Sequence, residues 1–426
     1  MKQRIKVILY SSCNNLRNLL QDNKRDFRII PFGFVMIYML VLLFSEFYFG
    51  SYAVIGSYFC IIPIPYFVDL KILLCGIDAI RENINPYTVS CLDGSPFFNY
   101  PYIWGFLSFL PFITTSNLIY IGLGLALTLF STLYFYIGKI NLFDAIIYTL
   151  LFLSPAIMLG VERGNCDLII FLMLLIPLFY NKSHSLFAFV ILITGMLKLF
   201  PIGAIICILN DVISKIIKSF CLFISVIVIF LIYLFLMKEN ILLVSKKTPR
   251  PFGGSSYGLW AIPEMVFHHF RNYPSFAVVF FFILKMLILL AFIIFYRYAN
   301  KIVKTLIIDS GSKGMSYIIG AGIFITTCLI GYNWEYRLIF LLLTIPQILS
   351  WIGEKKLMAI GLLFLSILIV WQSFIGAVLG IMHFKYAYYG ELFVILLFYC
   401  HLSVLINFLN SHYKKLSQLN LFFKKS

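Results

Sequence analysis

An acid, a base, an amide and a second acid lie close together at residues 160–167, which read GVERGNCD. Hardly a charge occurs in the runs on either side, AIIYTLLFLSPAIML before the stretch and LIIFLMLLIPLFY after it. Polar groups at membrane depth are costly, and they usually mark substrate paths or reaction sites. Glu162, Arg163 and Asn165 are therefore candidate functional residues in one wall of a cavity.

A second candidate group is the acid at position 69, in the segment PIPYFVDLKILLCGIDAIRENINPY. Partial desolvation in an aromatic and apolar setting makes a carboxylate more basic. Asp69 would then suit a general base that takes a proton from a hydroxyl group. Two other interpretations stay open, and the spacing alone favours them: a helix N-cap, or an ion pair with Lys71 or Arg81.

Two adjacent histidines, His268 and His269, could supply a further acid or base, although a loop histidine is more often an ordinary surface residue. The sequence has no HExxH, no carboxylate pair at metal spacing and no glycine-rich phosphate loop. Nine cysteines show no metal spacing. Cys75 and Cys91 could pair in an oxidising compartment, or they could be apolar thiols like the others.

The elements that must position these residues are membrane helices. The 426 residues are 62% hydrophobic and 12% charged, with a mean hydropathy of +0.98. Soluble domains are about half apolar and about a quarter charged, so the composition predicts an all-α polytopic membrane protein. The net charge of +16 is explained by basic residues that flank membrane helices on the cytoplasmic side, rather than by nucleic-acid binding.

Apolar runs predict about twelve membrane segments. They are 29–50, 115–137, 142–160, 166–181, 184–198, 200–211, 219–237, 275–297, 314–331, 337–352, 357–380 and 388–409. The pair 184–198 and 200–211 could also be one helix kinked at Pro201 or re-entrant pieces. Two crossings there obey the positive-inside rule throughout, which favours twelve segments with both termini in the cytoplasm.

The predicted organisation is a single membrane domain, 29–409, in the cell inner membrane. It follows a basic amphipathic arm, 1–28, and precedes a basic cytoplasmic tail, 410–426. Two long segments, 51–114 and 238–274, face outward and form the active-site side. The first is predicted to hold short amphipathic helices at the interface.

Several basic residues fall on the outer side, where the positive-inside rule predicts few. Arg163, Lys198 and Arg337 lie next to helix ends and other polar groups. Arginine binds phosphate through two parallel hydrogen bonds and lysine supplies a point charge, so an anionic ligand held near the bilayer surface would explain them. Snorkelling to lipid headgroups explains them equally well.

Short motifs resemble a known family. Asp69-Leu70, Asn85-Pro86-Tyr87 and Tyr100-Pro101 match the first-loop pattern of the GT-C superfamily of membrane glycosyltransferases, most of all glycosyltransferase family 87, with Tyr102 replacing a second proline. RGNCDLIIFLMLL, GMLKLFPIGAII and NWEYRLIFLLLTIPQ are similar to three later motifs. The family's Asn-Gln-Ser in the central loop is replaced by GGSSYGLWAIPE.

The resemblance implies a GT-C-like helical bundle that transfers a single hexose such as mannose, with inversion, from a polyprenyl-phosphate donor to a lipid or glycan acceptor. It implies no metal and no cofactor beyond the lipid-linked sugar, and it assigns the base to Asp69. Arg163, Lys198 and Arg337 would then hold the donor phosphate. Tyr100, Asn165, Trp334 and Glu335 would position sugar or acceptor, and His268 or His269 would close over the site.

Two other functions share some of these features. A lipid-linked oligosaccharide flippase or an anion transporter also needs outward polar residues and broken helices, but it should show a repeat relating its halves, and none is apparent in the sequence. An envelope polysaccharide polymerase would use a lipid-linked oligosaccharide as the donor instead of a single sugar.

Overall fold

A computed structural model of the protein describes most of the chain. The described residues are 25–49, 66–91, 98–180, 183–210, 216–249, 256–259, 303–330, 333–378 and 387–423, with scattered positions between 278 and 297. His268 and His269, and with them most of the predicted central loop, lie outside this set.

Helices dominate the described chain. The α-helices are α1 Ile29–Phe49, α2 Val68–Arg81, α3 Leu118–Ile137, α4 Leu142–Phe152, α5 Pro155–Arg163, α6 Cys166–Tyr180, α7 His184–Leu197, α8 Ile216–Leu236, α9 Lys238–Lys247, α10 Ser312–Ile330, α11 Ile345–Gly353, α12 Leu357–Val370, α13 Gln372–Val378 and α14 Ala387–Phe423. The 3₁₀ helices are η1 Tyr102–Phe109, η2 Thr115–Asn117, η3 Phe200–Leu209 and η4 Glu335–Thr344. Two short strands, β1 Ser256–Tyr257 and β2 Asn333–Trp334, pair antiparallel.

Five of the described helical stretches are long and apolar enough to cross a membrane. They are Thr115–Ile137, Ile217–Leu236, Ser312–Ile330, Glu335–Gly353 and Gly390–Ser411. The pair α4 and α5 gives a sixth if it is counted as one bent span. The protein is thus a helical multi-pass membrane protein, as predicted. The finer count of twelve crossings stays a prediction, and segment 275–297 lies largely outside the described residues.

The predicted segment 142–160 is broken near its middle. α4 and α5 meet at an angle of 54°, and Pro155 is the first residue of α5. Proline is tolerated at this position because its missing N–H would have no helical partner there. The bend directs the C-terminal end of α5, with Arg163, into the protein interior. Eight of the nine residues of α5 are buried there.

The two segments 184–198 and 200–211 are also separated by a break. α7 ends at Leu197, Lys198 is extended with φ −149°, and η3 then begins. Side chains satisfy the carbonyl groups that the break exposes: Trp104 Nε1 donates to Leu197 O at 3.1 Å, and Tyr233 Oη donates to Met196 O at 2.8 Å. Buried hydrogen bonds of this kind are what a broken helix needs at membrane depth.

The centre of the bundle is α10, which packs against both η3 and η4. Of its most apolar stretch 78% is buried, against 28% in Thr115–Ile137 and 22% in α8. α3 and α8 therefore present most of their apolar side chains outward, as helices that face lipid do. At the η3–α10 contact Gly203 meets Gly322 backbone to backbone, a close approach that small residues allow between membrane helices.

The segment 51–114 contains α2, the one helix of at least three turns that its described residues form. Nine residues of α2 are buried, so the helix packs against the protein, and its predicted position at the membrane interface stays a prediction. Cys75 of α2 forms a disulfide bond with Cys91, which resolves the choice left open by the sequence. At the other end of the chain, α14 continues through the predicted boundary at 409 to Phe423.

We expect reduction of the native protein to expose two additional thiols, because Cys75 and Cys91 are bonded to each other. Maleimide–polyethylene glycol labelling of the denatured protein, with and without prior reduction, counts them by gel shift. The double variant Cys75→Ser/Cys91→Ser is the control and should gain two labels fewer on reduction than the native chain. Equal gains in the two proteins would contradict the pairing.

We expect Gly203→Ala to lower the free energy of unfolding by about 1–3 kcal/mol, the usual cost of overpacking a filled interior. An added Cβ would lie 1.9 Å from Thr326 Oγ1 and 2.4 Å from Gly322 O. Thermal unfolding in detergent measures the effect. Gly124→Ala is the matched control, since a Cβ there meets nothing within 4 Å, and an equal loss in both variants would refute the close contact.

Candidate functional site

The first residues of α2 are held against the end of α5. Phe67 N donates to Glu162 O at 2.7 Å, which satisfies one carbonyl at the end of α5. Phe67 adopts the left-handed conformation with φ 54° and ψ 32°, which costs a bulky residue on the order of 1–3 kcal/mol. Its ring lies against Gly122 and Gly164, where a Cβ would clash with it. This docking brings Asp69, in the first turn of α2, next to Arg163.

The GVERGNCD stretch forms a tight connection between α5 and α6. Gly164, with φ 59°, ends α5 in a left-handed turn, in which its N–H donates to Val161 O and that of Asn165 donates to Gly160 O. This pattern is a Schellman motif, which strongly favours glycine at the left-handed position. Asn165 then caps α6, because its Oδ1 accepts from the backbone N–H of Asp167 at 2.9 Å.

The Asp69 carboxylate is bound by the two residues that flank Gly164. Arg163 Nη2 donates to Asp69 Oδ1 at 2.5 Å and Arg163 Nε donates to Asp69 Oδ2 at 2.8 Å. Asn165 Nδ2 also donates to Asp69 Oδ2. The alternative pairing with Arg81 is wrong, since Arg81 pairs with Asp78. Asp69 is not the N-cap of α2 either, because Phe67 occupies that position.

A second carboxylate, Asp167, lies between the two remaining cations. Lys198 Nζ is 2.5 Å from Asp167 Oδ1, and Arg337 Nε is 3.5 Å from Asp167 Oδ2. Lys198 Nζ also donates to Asn165 Oδ1 at 3.4 Å, so Asn165 joins the two ion pairs into one network. Arg337 Nη1 donates to Asn333 Oδ1. We call Asp69, Arg163, Asn165, Asp167, Lys198 and Arg337 the charged cluster.

Burial decides between the two interpretations of the cations. The side chains of Arg163, Lys198 and Arg337 are 13%, 13% and 17% exposed, and each faces a carboxylate. Snorkelling side chains place their charged ends in the headgroup region, so that interpretation is wrong for these three. Three cations against two carboxylates give the charged cluster a formal net charge of +1, and the buried carboxylate of Glu162 accepts from Tyr38 Oη at 2.5 Å.

Helix ends contribute to the same electrostatic arrangement. Asp69 and Asp167 lie in the first turns of α2 and α6, and Arg163 lies in the last turn of α5. Negative groups at helix N-termini and positive groups at C-termini interact favourably with the aligned peptide dipoles. The cluster is therefore built where three helix ends meet.

Two of the predicted sugar-positioning aromatic residues adjoin the cluster, and both hold its parts in place. Tyr100 Oη donates to the backbone oxygen of Asp69 at 3.2 Å, and its ring centroid is 5.8 Å from Lys198 Nζ. Burial raises the pKa of Tyr100 well above its ordinary value, and nearby anionic groups add to the effect. The ring centroid of Trp334 lies 5.3 Å from the Arg163 guanidinium carbon, and the Trp334 ring stacks with that of Tyr336.

Glu335 is separate from the cluster. Its side chain is buried and lies against Ser373 of α13, and no hydrogen bond or ion pair between described residues joins it to Asp69 or Asp167. The 3₁₀ geometry of η4 turns neighbouring side chains about 120° apart, so Glu335 and Arg337 point in different directions. The sequence alone did not indicate this.

Asp167 is the residue of the cluster that the sequence analysis missed as a site residue. A signal was present, since Asp167 lies in the same polar stretch as Arg163 and Asn165. An acid in the first turn of a helix is, however, also a common dipole-compensating residue. Asn333, which accepts from Arg337, gave no signal beyond its place in the NWEYRLIFLLLTIPQ motif.

Neither a search for metal sites nor a comparison with known proteins assigns a function to the charged cluster. Within the described part of the chain, no group of three or more His, Cys, Asp or Glu residues could hold a metal ion, and the metal-independent site stays a prediction. No family model, curated protein or solved structure matches the chain.

We expect Arg163→Met to destabilise the protein by about 3–5 kcal/mol, because it leaves the Asp69 charge buried without its partner. The double variant Asp69→Asn/Arg163→Met should recover most of that loss, since it removes both charges. Unfolding in mixed detergent micelles measures both. Glu354→Gln, in the ion pair of Glu354 with Lys356, is the control and should cost less than about 1 kcal/mol, because the Glu354 side chain is 49% exposed. Additive losses in the double variant would show that the pair does not stabilise the site.

Proposed function

We propose that the protein is an integral membrane glycosyltransferase that moves a single hexose from a polyprenyl-phosphate donor to a hydroxyl acceptor. The observation that carries the proposal is the convergence of Arg163, Lys198 and Arg337 on Asp69 and Asp167 in one buried cluster. Cations that are buried but not fully neutralised suit a phosphate, and an adjacent carboxylate suits a proton acceptor.

Charge balance favours this class of donor. A hexosyl phosphate esterified to a lipid carries one negative charge, which matches the net charge of +1 of the cluster. When the sugar departs, the leaving phosphate gains a second negative charge. If the acceptor proton passes to Asp69, the cluster rises to +2 in the same step. The site would therefore remain electrically neutral before and after transfer, which lowers the cost of charge development in a buried site.

The reaction is a single displacement. The acceptor oxygen attacks the anomeric carbon, and the bond from that carbon to the phosphate oxygen breaks with its electron pair passing to the phosphate. Attack from the opposite face inverts the configuration. Three hydrogen bonds reach the Asp69 carboxylate, out of about four lone-pair positions, so one position is left to accept the hydroxyl proton. Lys198 and Arg337 stabilise the leaving group.

The disulfide bond supports an outward orientation of the segment that contains α2. Cys75 and Cys91 are bonded in the segment that begins with Asp69, and disulfides persist in oxidising compartments. We therefore propose that α2, and with it the charged cluster, faces the side of the inner membrane away from the cytoplasm. With the predicted twelve crossings, the positive-inside rule would put both chain termini in the cytoplasm.

The test is sugar transfer by isolated membranes that contain the full-length protein, with radiolabelled polyprenyl-phosphate-mannose as the donor. We expect one sugar to be transferred, and we expect Arg337→Lys to lower kcat roughly a hundredfold, in the range for losing one charge-stabilising donor, because lysine keeps the charge but loses the planar fork. Asp69→Asn should abolish transfer. Arg28→Lys is the control, the same exchange at an arginine that pairs with Asp26.

Several outcomes would reject the proposal. Full activity in Asp69→Asn would show that Asp69 is not the base. Wild-type activity in Arg337→Lys would show that Arg337 does not bind the phosphate through its planar fork. Movement of the donor across sealed vesicles without transfer would favour the transporter instead, and use of a lipid-linked oligosaccharide as the donor would favour the polymerase.

A further inference from the structure

A groove of about 710 Å³ lies apart from the charged cluster, between the end of α2 and the junction of α8 with α9. The loop Asn83–Tyr87 forms one wall, the turn from Leu236 to Leu243 forms the other, and Tyr102 of η1 lies at one end. Its volume falls within the range of about 300–1,000 Å³ that is typical of small-molecule sites.

The first wall is held rigidly. Asn83, with φ 59°, ends α2 in a left-handed turn, which asparagine tolerates better than most residues. Asn85 Oδ1 accepts from Tyr87 N at 3.0 Å, a turn that fixes the asparagine side chain. The Cys75–Cys91 bond ties the following residues back to α2. A groove wall fixed in this way loses little conformational entropy when a ligand binds.

The second wall is fixed to the first through Asn240 of α9. Asn240 Nδ2 donates to Tyr87 Oη at 2.7 Å, and Asn240 Oδ1 accepts from Tyr102 N at 3.1 Å. Lys247 Nζ, one turn further along α9 from the groove, donates to Tyr87 O at 2.7 Å. Both walls are therefore locked in one arrangement by bonds that leave the Tyr102 ring and the Glu239 carboxylate exposed.

The groove differs from the charged cluster in its chemistry. Amides, phenols and one carboxylate line it, from Asn83, Asn85, Asn240, Tyr87, Tyr102 and Glu239. Among the described residues that line it there is no lysine or arginine, and the nearby Lys247 ammonium is bound to the backbone oxygen of Tyr87. Amide and carboxylate groups bind hydroxyls, and an exposed aromatic ring packs against an apolar ring face. These features together select a neutral polyhydroxylated ligand.

A chain of contacts joins the groove to the cluster. Tyr87 Oη, which accepts from Asn240, donates to Tyr100 O at 2.8 Å. Tyr100 Oη in turn donates to the backbone oxygen of Asp69. The groove is thus linked to the backbone of Asp69 through Asn240, Tyr87 and Tyr100, and Tyr100 takes part with both its backbone oxygen and its hydroxyl.

We propose that this groove binds carbohydrate, with Tyr102 as the stacking surface and Glu239 and Asn85 as hydroxyl-binding groups. In the reaction proposed above, on whose existence this role rests, the groove holds the glycan part of the acceptor. The binding of sugar itself does not require that reaction.

The experiment is saturation-transfer difference NMR on the full-length protein in a detergent without a sugar headgroup. The probes are methyl α-D-mannopyranoside and methyl β-D-glucopyranoside, added without donor. We expect at least one probe to bind, and we expect Tyr102→Ala and Glu239→Gln each to raise its dissociation constant roughly fivefold to tenfold, as loss of one aromatic or charged contact does. Tyr120→Ala and Glu354→Gln are the matched controls at exposed positions outside the groove.

Two results would overturn the proposal: no saturation transfer to either probe, or equal binding in the groove variants and their controls. Thermal unfolding of each variant separates a lost site from a lost fold. If membranes transfer no sugar but sugar binding still depends on Tyr102, the proposed transferase function is rejected and the proposed sugar site in the groove is supported. If sugar is transferred and Tyr102→Ala leaves the acceptor KM unchanged, only the proposed role of the groove in acceptor binding is rejected.

Discussion

The buried pairing of Asp69 with Arg163 is the interaction on which the rest of the site depends. A single charge at this depth would be far costlier than the pair, so neither residue is tolerable without the other. The local structure serves this pairing: Phe67 accepts an unfavourable backbone conformation, Gly164 ends α5 with no side chain to obstruct α2, and Asn165 caps α6 while it binds the same carboxylate.

Interrupted helices supply the other charges. Lys198 lies in the extended break between α7 and η3, and Arg337 lies near the start of η4. Uninterrupted helices would satisfy their own backbone groups but would carry long side chains only along their flanks. At the break after Leu197, Trp104 and Tyr233 satisfy the carbonyls that the chain exposes. The cations of the charged cluster thereby reach the interior of the bundle.

The sequence predicted the parts of the fold that depend on apolar run length and the parts of the site that are unusual in composition. Asp69, Arg163, Asn165, Lys198 and Arg337 were all named, and they meet. Partner choice was not predictable: Asp167 looked like an ordinary first-turn acid, and Tyr100 looked like a ligand contact although its hydroxyl supports the Asp69 backbone. The apolar pattern of Glu335–Thr344 also gave no sign that this stretch is a 3₁₀ helix, since its hydrophobicity does not reveal the number of residues per turn.

The ten-residue 3₁₀ helix η4 has a consequence for how far the chain reaches. Its residues advance about 2.0 Å each, against about 1.5 Å in an α-helix, so η4 followed by α11 extends to roughly 33 Å and covers the ~30 Å hydrocarbon layer. Coiled as an α-helix throughout, the same nineteen residues would be about 5 Å shorter. The stretched winding thus lets a short segment of nineteen residues reach across the layer without additional residues.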